Sequence, residues 1–204
     1  MPRTLITVPI KEAAAAKTRL AGDLTPAARV RLVDLLFRRT LDVVQPLTGA
    51  AVDLAVITGC PRAASVAEAR GLRVIAEPPG AGLNGAVCEG ARRAEAEGYD
   101  RLCVIPADLA APDPADLLRL LASRAAVTVV PSTDLGTNAL LIAPPGAITF
   151  HYGPQSAQKH LRAAEARGLT TCLMPLDSLS FDIDTSACLA RAIQTAPEIA
   201  EICA

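Results

Sequence analysis

The stretch AVTVVPSTDLGTNALLIA, residues 126–143, decides between two kinds of sheet. It holds two apolar runs of strand length, AVTVVP (126–131) and NALLIA (138–143), joined by only STDLGT. Parallel neighbours need a crossover of roughly a dozen residues or more, usually a helix, so so short a link makes these two strands antiparallel. Further apolar runs lie at TLITVP (4–9), VDLAVIT (52–58), LRVIA (72–76), RLCVIP (101–106) and TTCLMPL (170–176). Most are continuous rather than alternating, the pattern of strands buried on both faces in a parallel sheet covered by helices.

Helical patterns fill the gaps between these runs. The clearest opens with Thr25 as N-cap and Pro26 at the first helical position, followed by Val30, Val33, Leu36, Phe37, Leu41 and Val44 at helical spacing. Arg29, Arg31, Asp34, Arg38 and Arg39 take its other faces. Further helices are predicted over 62–70, 84–97, 114–123, 155–167 and 186–195, and Gly71, Gly98 and Gly168 each suit a helix C-terminus. EAAAAK (12–17) reads as a loop or helical turn. This order predicts one α/β domain over residues 1–204, with a mostly parallel central sheet, one antiparallel element and helices on both faces. Ligands of such sheets bind beyond the carboxyl ends of the strands.

Composition narrows the function. Only 2% of residues are aromatic and none is Trp, which argues against stacking of sugars or bases. A net charge of −1 supplies no field for nucleic acid or an acidic membrane, and no apolar stretch reaches the ~18 residues of a membrane span. No signal-peptide pattern precedes the first strand, so a soluble, cytoplasmic protein is expected. The six cysteines have no metal-binding spacing and read as buried free thiols. Charge is uneven along the chain. Residues 1–40 carry eight Lys and Arg against Glu12, Asp23 and Asp34, whereas residues 177–204 carry five acids against Arg191. If the two ends meet, a basic lip faces an acidic one.

The acids near the end include FDIDT (181–185). Read as a strand, it puts Asp182 and Asp184 on one face about 6.6 Å apart, where they repel by about 0.6 kcal/mol in water and about 2.5 kcal/mol at an effective dielectric of 20. A cation turns that repulsion into attraction. Asp108, in VIPADL (104–109), stands past the carboxyl end of the fourth strand, on the rim where a ligand would bind. Taken alone it also suits a helix cap. Together the three carboxylates match the oxygen preference of Mg²⁺, which keeps one or two carboxylates beside phosphate oxygens and water.

The first strand runs into VPIKEAAAAKTRL (8–20), which contains no glycine and so neither a GxGxxG nor a P-loop pattern. It offers Lys11, Lys17 and Arg19 instead, either as a solvated basic loop or as cations for a polyphosphate. Gly136 frees backbone N–H groups to face an anion, and Pro154 starts a helix whose N–H groups near Ser156 suit another. His151 and His160, nine residues apart, lack helical ligand spacing and read as structural or peripheral.

In order, VPIK…AKTRL, GLN, PADL, GTNALL, YGxxS…H and FDIDT resemble the CofC/FbiD guanylyltransferases of coenzyme F420 biosynthesis, over about residues 5 to 190. GTNALL followed by YGxxS and DID is the specific part. The resemblance implies a GT-A-like nucleotidyltransferase fold, with Asp108, Asp182 and Asp184 holding Mg²⁺. Thr137, Gly153 and Ser156 would hold a phosphorylated acid, largely through backbone groups. Lys17 and Arg19 would face the triphosphate as catalytic groups with Asp108, and Lys11 and Asn84 would lie by the nucleotide.

The implied partners are GTP and a small phosphorylated carboxylic acid, namely 2-phospho-L-lactate, phosphoenolpyruvate or 3-phospho-D-glycerate. Nucleic acid and membrane are not among them, and a homodimer is compatible with the reading. Three positions depart from the family pattern: Leu135 replaces a usual Gly, Ala110 a usual Pro and Ala157 a usual aromatic residue. The alternatives are a nucleotidyltransferase for the molybdenum cofactor or a sugar phosphate, which usually opens with the glycine-rich loop absent here, and a non-catalytic nucleotide-binding relative.

Overall fold

In the computed structural model, residues 2–12 and 17–203 are described. The greater part of the EAAAAK expectation therefore lies outside the described residues. Seven strands form one sheet: β1 (Thr4–Pro9), β2 (Val52–Thr58), β3 (Arg73–Ala76), β4 (Arg101–Val104), β5 (Val127–Pro131), β6 (Thr137–Ile142) and β7 (Thr171–Leu173). Their order is β3-β2-β1-β4-β6-β5-β7, and β6 alone runs against the rest. The short STDLGT link thus does what its length requires, with a register shift between Val130 and Pro131 where the hairpin turns.

Helices α1 (Pro26–Val44), α2 (Pro61–Ala69), α3 (Gly82–Ala96), α4 (Pro114–Leu121), α5 (Ser156–Glu165), α6 (Asp177–Ser180), α7 (Ser186–Thr195) and α8 (Pro197–Cys203) surround the sheet. Thr25 caps α1 as its sequence predicts, its Oγ1 accepting the Ala28 N–H at 3.1 Å. The strands alternate between two cores despite their unbroken apolar sequence. Ile6, Val8, Val56, Cys103 and Leu141 pack with Val33, Phe37 and Leu41 of α1. Leu5, Ile57, Leu102, Val104 and Leu140 pack on the other side with Val87 and Ala91 of α3. Both sheet faces are therefore dry, which is why the strands are mostly apolar and polar residues within them, such as Thr7 and Thr128, are buried.

A third cluster sets the end of the chain on its beginning. Leu20, Leu32 and Leu36 pack with Ile183, Leu189, Ala192 and Ile199. Polar contacts follow the expected charge asymmetry: Arg39 pairs with Glu198, and Ser186 donates to Asp23 at 2.6 Å. Neither α6 nor α8 was anticipated, being short segments with little periodicity.

The cysteine expectation holds for free thiols and is corrected for burial. Cys103 is buried, but Cys60, Cys172 and Cys188 are half-buried and Cys88 is exposed; all five are free thiols. Cys88 sits on α3 among residues that face away from the sheet, a placement that an apolar neighbourhood in sequence does not reveal. Among the described residues, no helix is long and apolar enough to cross a membrane.

Candidate active site

The carboxyl ends of β1 and β4 and the amino end of β6 share one rim of the sheet, because β6 runs in reverse. A cavity of about 380 Å³ opens there, with Lys11, Lys17, Asp108, Thr137, Asn138 and Asp184 in its wall. A larger cleft lies at the opposite rim, beside Arg101 and Leu118, away from the acids.

FDIDT is not the strand expected from its alternating acids. Asp182 alone forms a bridge, to Leu109, and the Ala110 N–H donates to the Phe181 carbonyl at 3.0 Å. With α6 ending at Ser180 and α7 beginning at Ser186, there is no length for a ladder. The bridge nevertheless fastens this segment to the loop carrying Asp108. One carboxylate oxygen from each of Asp108, Asp182 and Asp184 lies within 4.8 Å of the others. Ala110, where the family pattern has Pro, supplies an N–H that Pro lacks, and so adds a hydrogen bond between the two acidic segments.

Lys17 completes the cluster. Its Nζ donates to Asp108 at 2.5 Å and to Asp184 at 2.6 Å, and its side chain is only 3% exposed. The backbone at Lys17 is left-handed, with φ 54° and ψ 36°, a conformation that costs an L-residue about 1–2 kcal/mol. Buried Leu20, at the end of the following turn, anchors the loop in the third cluster. Burial opposes the charge on Lys17, but Asp108 and Asp184 outweigh it and hold the ammonium well above its ordinary pKa.

Asp182 receives no such contact. Burial, then the neighbouring Asp108 and Asp184, push its carboxyl up to about 6, against smaller opposing effects of Lys17 and of Asn138, whose Nδ2 donates to it at 3.4 Å. Three converging carboxylates, one of them destabilised by its neighbours, fit a hard divalent cation with oxygen ligands. The Lys17 ammonium lies against two of the same carboxylates, so ion and ammonium draw on one set of acids.

The remaining expected residues divide. Lys11 is exposed and lines the cavity. Arg19 is exposed and does not line it; its charge acts on Asp134 in the β5–β6 turn. Asn84 clamps a backbone, accepting the Tyr152 N–H at 2.7 Å and donating to the Tyr152 carbonyl at 3.3 Å. Gly153, with φ 129°, makes the turn that leads from Tyr152 toward Ser156, and Thr137 and Ser156 are buried side by side.

At both positions expected to face an anion, backbone N–H groups have acceptors within the protein. The Gly136 N–H donates to Asp134 at 3.2 Å, so the chain supplies its own anion in that turn. The N–H groups of Ser156 and Ala157 donate to the carbonyls of Gly153 and Leu135, at 3.1 and 3.4 Å. Leu135 itself has φ 68°, the left-handed geometry that explains the family's Gly at this place. Sequence reasoning passed over Asn138 and gave His160 no contact with the site. His160 is fully buried against Thr137, a placement that its spacing from His151 does not disclose.

The sheet order and its surrounding helices define a GT-A-like nucleotidyltransferase fold. Solved structures share this fold. One is described as a nucleotide-diphospho-sugar transferase from Desulfovibrio desulfuricans, with TM-score 0.71 and 15% identity, covering 100% of this chain and 97% of that one. A nucleotidyl transferase from Methanothermobacter has TM-score 0.63 and 16% identity, covering 98% of each chain.

The chain belongs to the family described as guanylyl transferase CofC like, whose model matches residues 4–195. It is 40% identical to the phosphoenolpyruvate guanylyltransferase of Rubrobacter xylanophilus over 90% of both chains. It is 36% identical to the 3-phospho-D-glycerate guanylyltransferase of Colwellia psychrerythraea, over 90% of this chain and 88% of that one. The 2-phospho-L-lactate guanylyltransferase of Methanothermobacter thermautotrophicus is 31% identical, over 94% of this chain and 84% of its own. The family resemblance read from the motifs therefore holds, and the protein is an enzyme, a guanylyltransferase.

Proposed function

We propose that the protein transfers GMP from GTP to the phosphate of a small phosphorylated carboxylic acid, releasing pyrophosphate, in coenzyme F420 biosynthesis, with Mg²⁺ as cofactor. The observation that carries this reading is the convergence of Asp108, Asp182 and Asp184 on one another, with the Lys17 ammonium on two of them, at the carboxyl rim of the sheet. Asp108, Asp182 and Asp184 would hold the ion, which when bound would neutralise triphosphate charge and polarise the α-phosphorus.

The attacking group needs no general base, since the acid's phosphate is already anionic at neutral pH. The difficulty is repulsion between two polyanions, and the chain answers it by position and charge. Lys17, freed from the carboxylates, turns its ammonium to the triphosphate, with Lys11 beyond it. Arg19, outside the cavity lining, serves at the mouth where pyrophosphate leaves. Asn84 supports the nucleotide side by holding Tyr152 in place, and Thr137, Gly153 and Ser156 form the acid's side.

Phosphoenolpyruvate is the first acid to test, because the relative at 40% identity is named for it. The protein is incubated with Mg²⁺, each of four nucleoside triphosphates and each of the three acids, pyrophosphate is followed, and products are weighed. Pyrophosphate release with GTP and one acid, and a product mass equal to that acid plus GMP, is the expected result. Thermal stabilisation by GTP and Mg²⁺ with no pyrophosphate from any combination would instead indicate a nucleotide-binding protein without transfer activity.

A further inference from the structure

Beside the acid cluster, three buried side chains form a hydrogen-bonded set whose protons are determined by the backbone. The His151 N–H donates to Nε2 of His160 at 2.9 Å, so this nitrogen is an unprotonated acceptor. A neutral imidazole carries one proton, and it is therefore on Nδ1. Nδ1 lies 3.0 Å from Oγ1 of Thr137 and donates to it. The Ser156 hydroxyl donates to the same oxygen at 3.1 Å.

Both lone pairs of Thr137 Oγ1 are thereby engaged, and its own proton must point elsewhere. Among the described residues that proton has no protein acceptor, while Thr137 lines the cavity. The backbone N–H groups that might have served an anion here, those of Gly136, Ser156 and Ala157, are already engaged. A hydroxyl held as a donor suits an anionic oxygen and rejects a donor.

We propose that His160 is a positioning residue for acid binding, which with Ser156 commits the Thr137 hydroxyl proton to the cavity, where it meets an anionic oxygen of the phosphorylated acid. This rests on the placing of the acid beside Thr137 given above. Burial, with smaller effects of His151 and Lys159, pushes the imidazole down to about 4, so the arrangement persists through the neutral range. Tyr152, edge-on to the His160 ring at 5.0 Å between centroids, fixes the ring plane.

Two conservative replacements separate positioning from structure. His160→Asn keeps an amide donor near the Nδ1 position but gives up the acceptor for His151. His160→Gln places its amide near the Nε2 position, where its oxygen accepts from His151, and gives up the donor to Thr137. Steady-state kinetics are measured with GTP, Mg²⁺ and whichever of the three acids is turned over, and each variant is melted to verify its fold.

The expected result is that His160→Gln melts near the parent but raises the acid's KM about tenfold with the GTP KM unchanged, the loss of about one buried hydrogen bond. His160→Asn shows the reverse, a lower melting temperature and a nearly parental acid KM. Thr137→Val raises the acid's KM by a similar factor, and adding His160→Gln to it raises it no further. If Thr137→Val leaves the acid's KM unchanged, the acid is not beside Thr137 and the placing of the site is wrong. If Thr137→Val raises it while His160→Gln does not, or the two effects multiply, the site stands and the role of His160 is overturned.

Discussion

Asp182→Asn is expected to make the cation-free protein more stable and to abolish its transfer activity. The carboxyl at 182 is buried and faces two further carboxylates, so its proton is held up to about 6 in the folded chain against about 3.9 in an unfolded one. Between those values the folded state binds more protons than the unfolded state. Stability contributed by the protonated group is therefore full below about pH 4 and falls as pH rises through about 6. Removing the charge recovers about 1–2 kcal/mol at pH 8, after allowance for the solvent that reaches this site. Urea unfolding without divalent ions, at pH 4 and pH 8, should show the gain at the higher pH only.

The same replacement, like Asp184→Asn, removes a proposed ligand of the ion that offsets charge at the α-phosphorus. A loss of about a thousandfold in pyrophosphate release is expected, in line with other preorganised electrostatic groups. Full activity in either variant would refute the assignment of these carboxylates. A fall in stability at pH 8 for Asp182→Asn would show instead that Asp182 is well compensated within the fold.

Lys17→Met should move two properties in opposite directions. In the described geometry the ammonium contacts one oxygen of Asp108 and one of Asp184, two of the carboxylates proposed to hold the ion. Without that competitor, Mg²⁺ should bind about tenfold more tightly, or more, in calorimetric titration. Transfer should nevertheless fall by a hundredfold or more, since the triphosphate loses the cation that approaches it from the opening loop. The cation-free variant should also be less stable, by an amount at the lower end for broken ion pairs, because Asp108 and Asp184 remain 34% and 47% exposed. Unchanged Mg²⁺ affinity would mean that Lys17 and the ion do not share oxygens.

The sheet was largely legible because burial on both faces leaves an unbroken apolar record, and because STDLGT is too short for any connection but a hairpin. Thr25 and Pro26 marked the start of α1 for local reasons that the tertiary structure does not alter. FDIDT misled because its alternation imitates a strand, while its pairing depends on a loop more than seventy residues earlier and on helices at both ends. The internal acceptors of the Gly136 and Ser156 N–H groups were not legible for a related reason. Residue types identify a donor, but only the folded backbone tells whether Asp134 or Gly153 already receives it.

Within the site, the identities of the acids and of Lys17 were readable, but their mutual arrangement was not. The ammonium reaches Asp108 and Asp184 across 91 and 167 residues of chain, from a left-handed backbone position that no local pattern announces. His160 was judged by its spacing from the other histidine, whereas its partners are a strand hydroxyl and a backbone amide.

That span of chain also bears on synthesis. The loop bearing Lys17 leaves the ribosome well before Asp184, which follows 167 residues later. Until then the nascent polypeptide offers a basic loop without its acidic counterpart, so the acid–ammonium cluster forms only once both ends of that span have emerged.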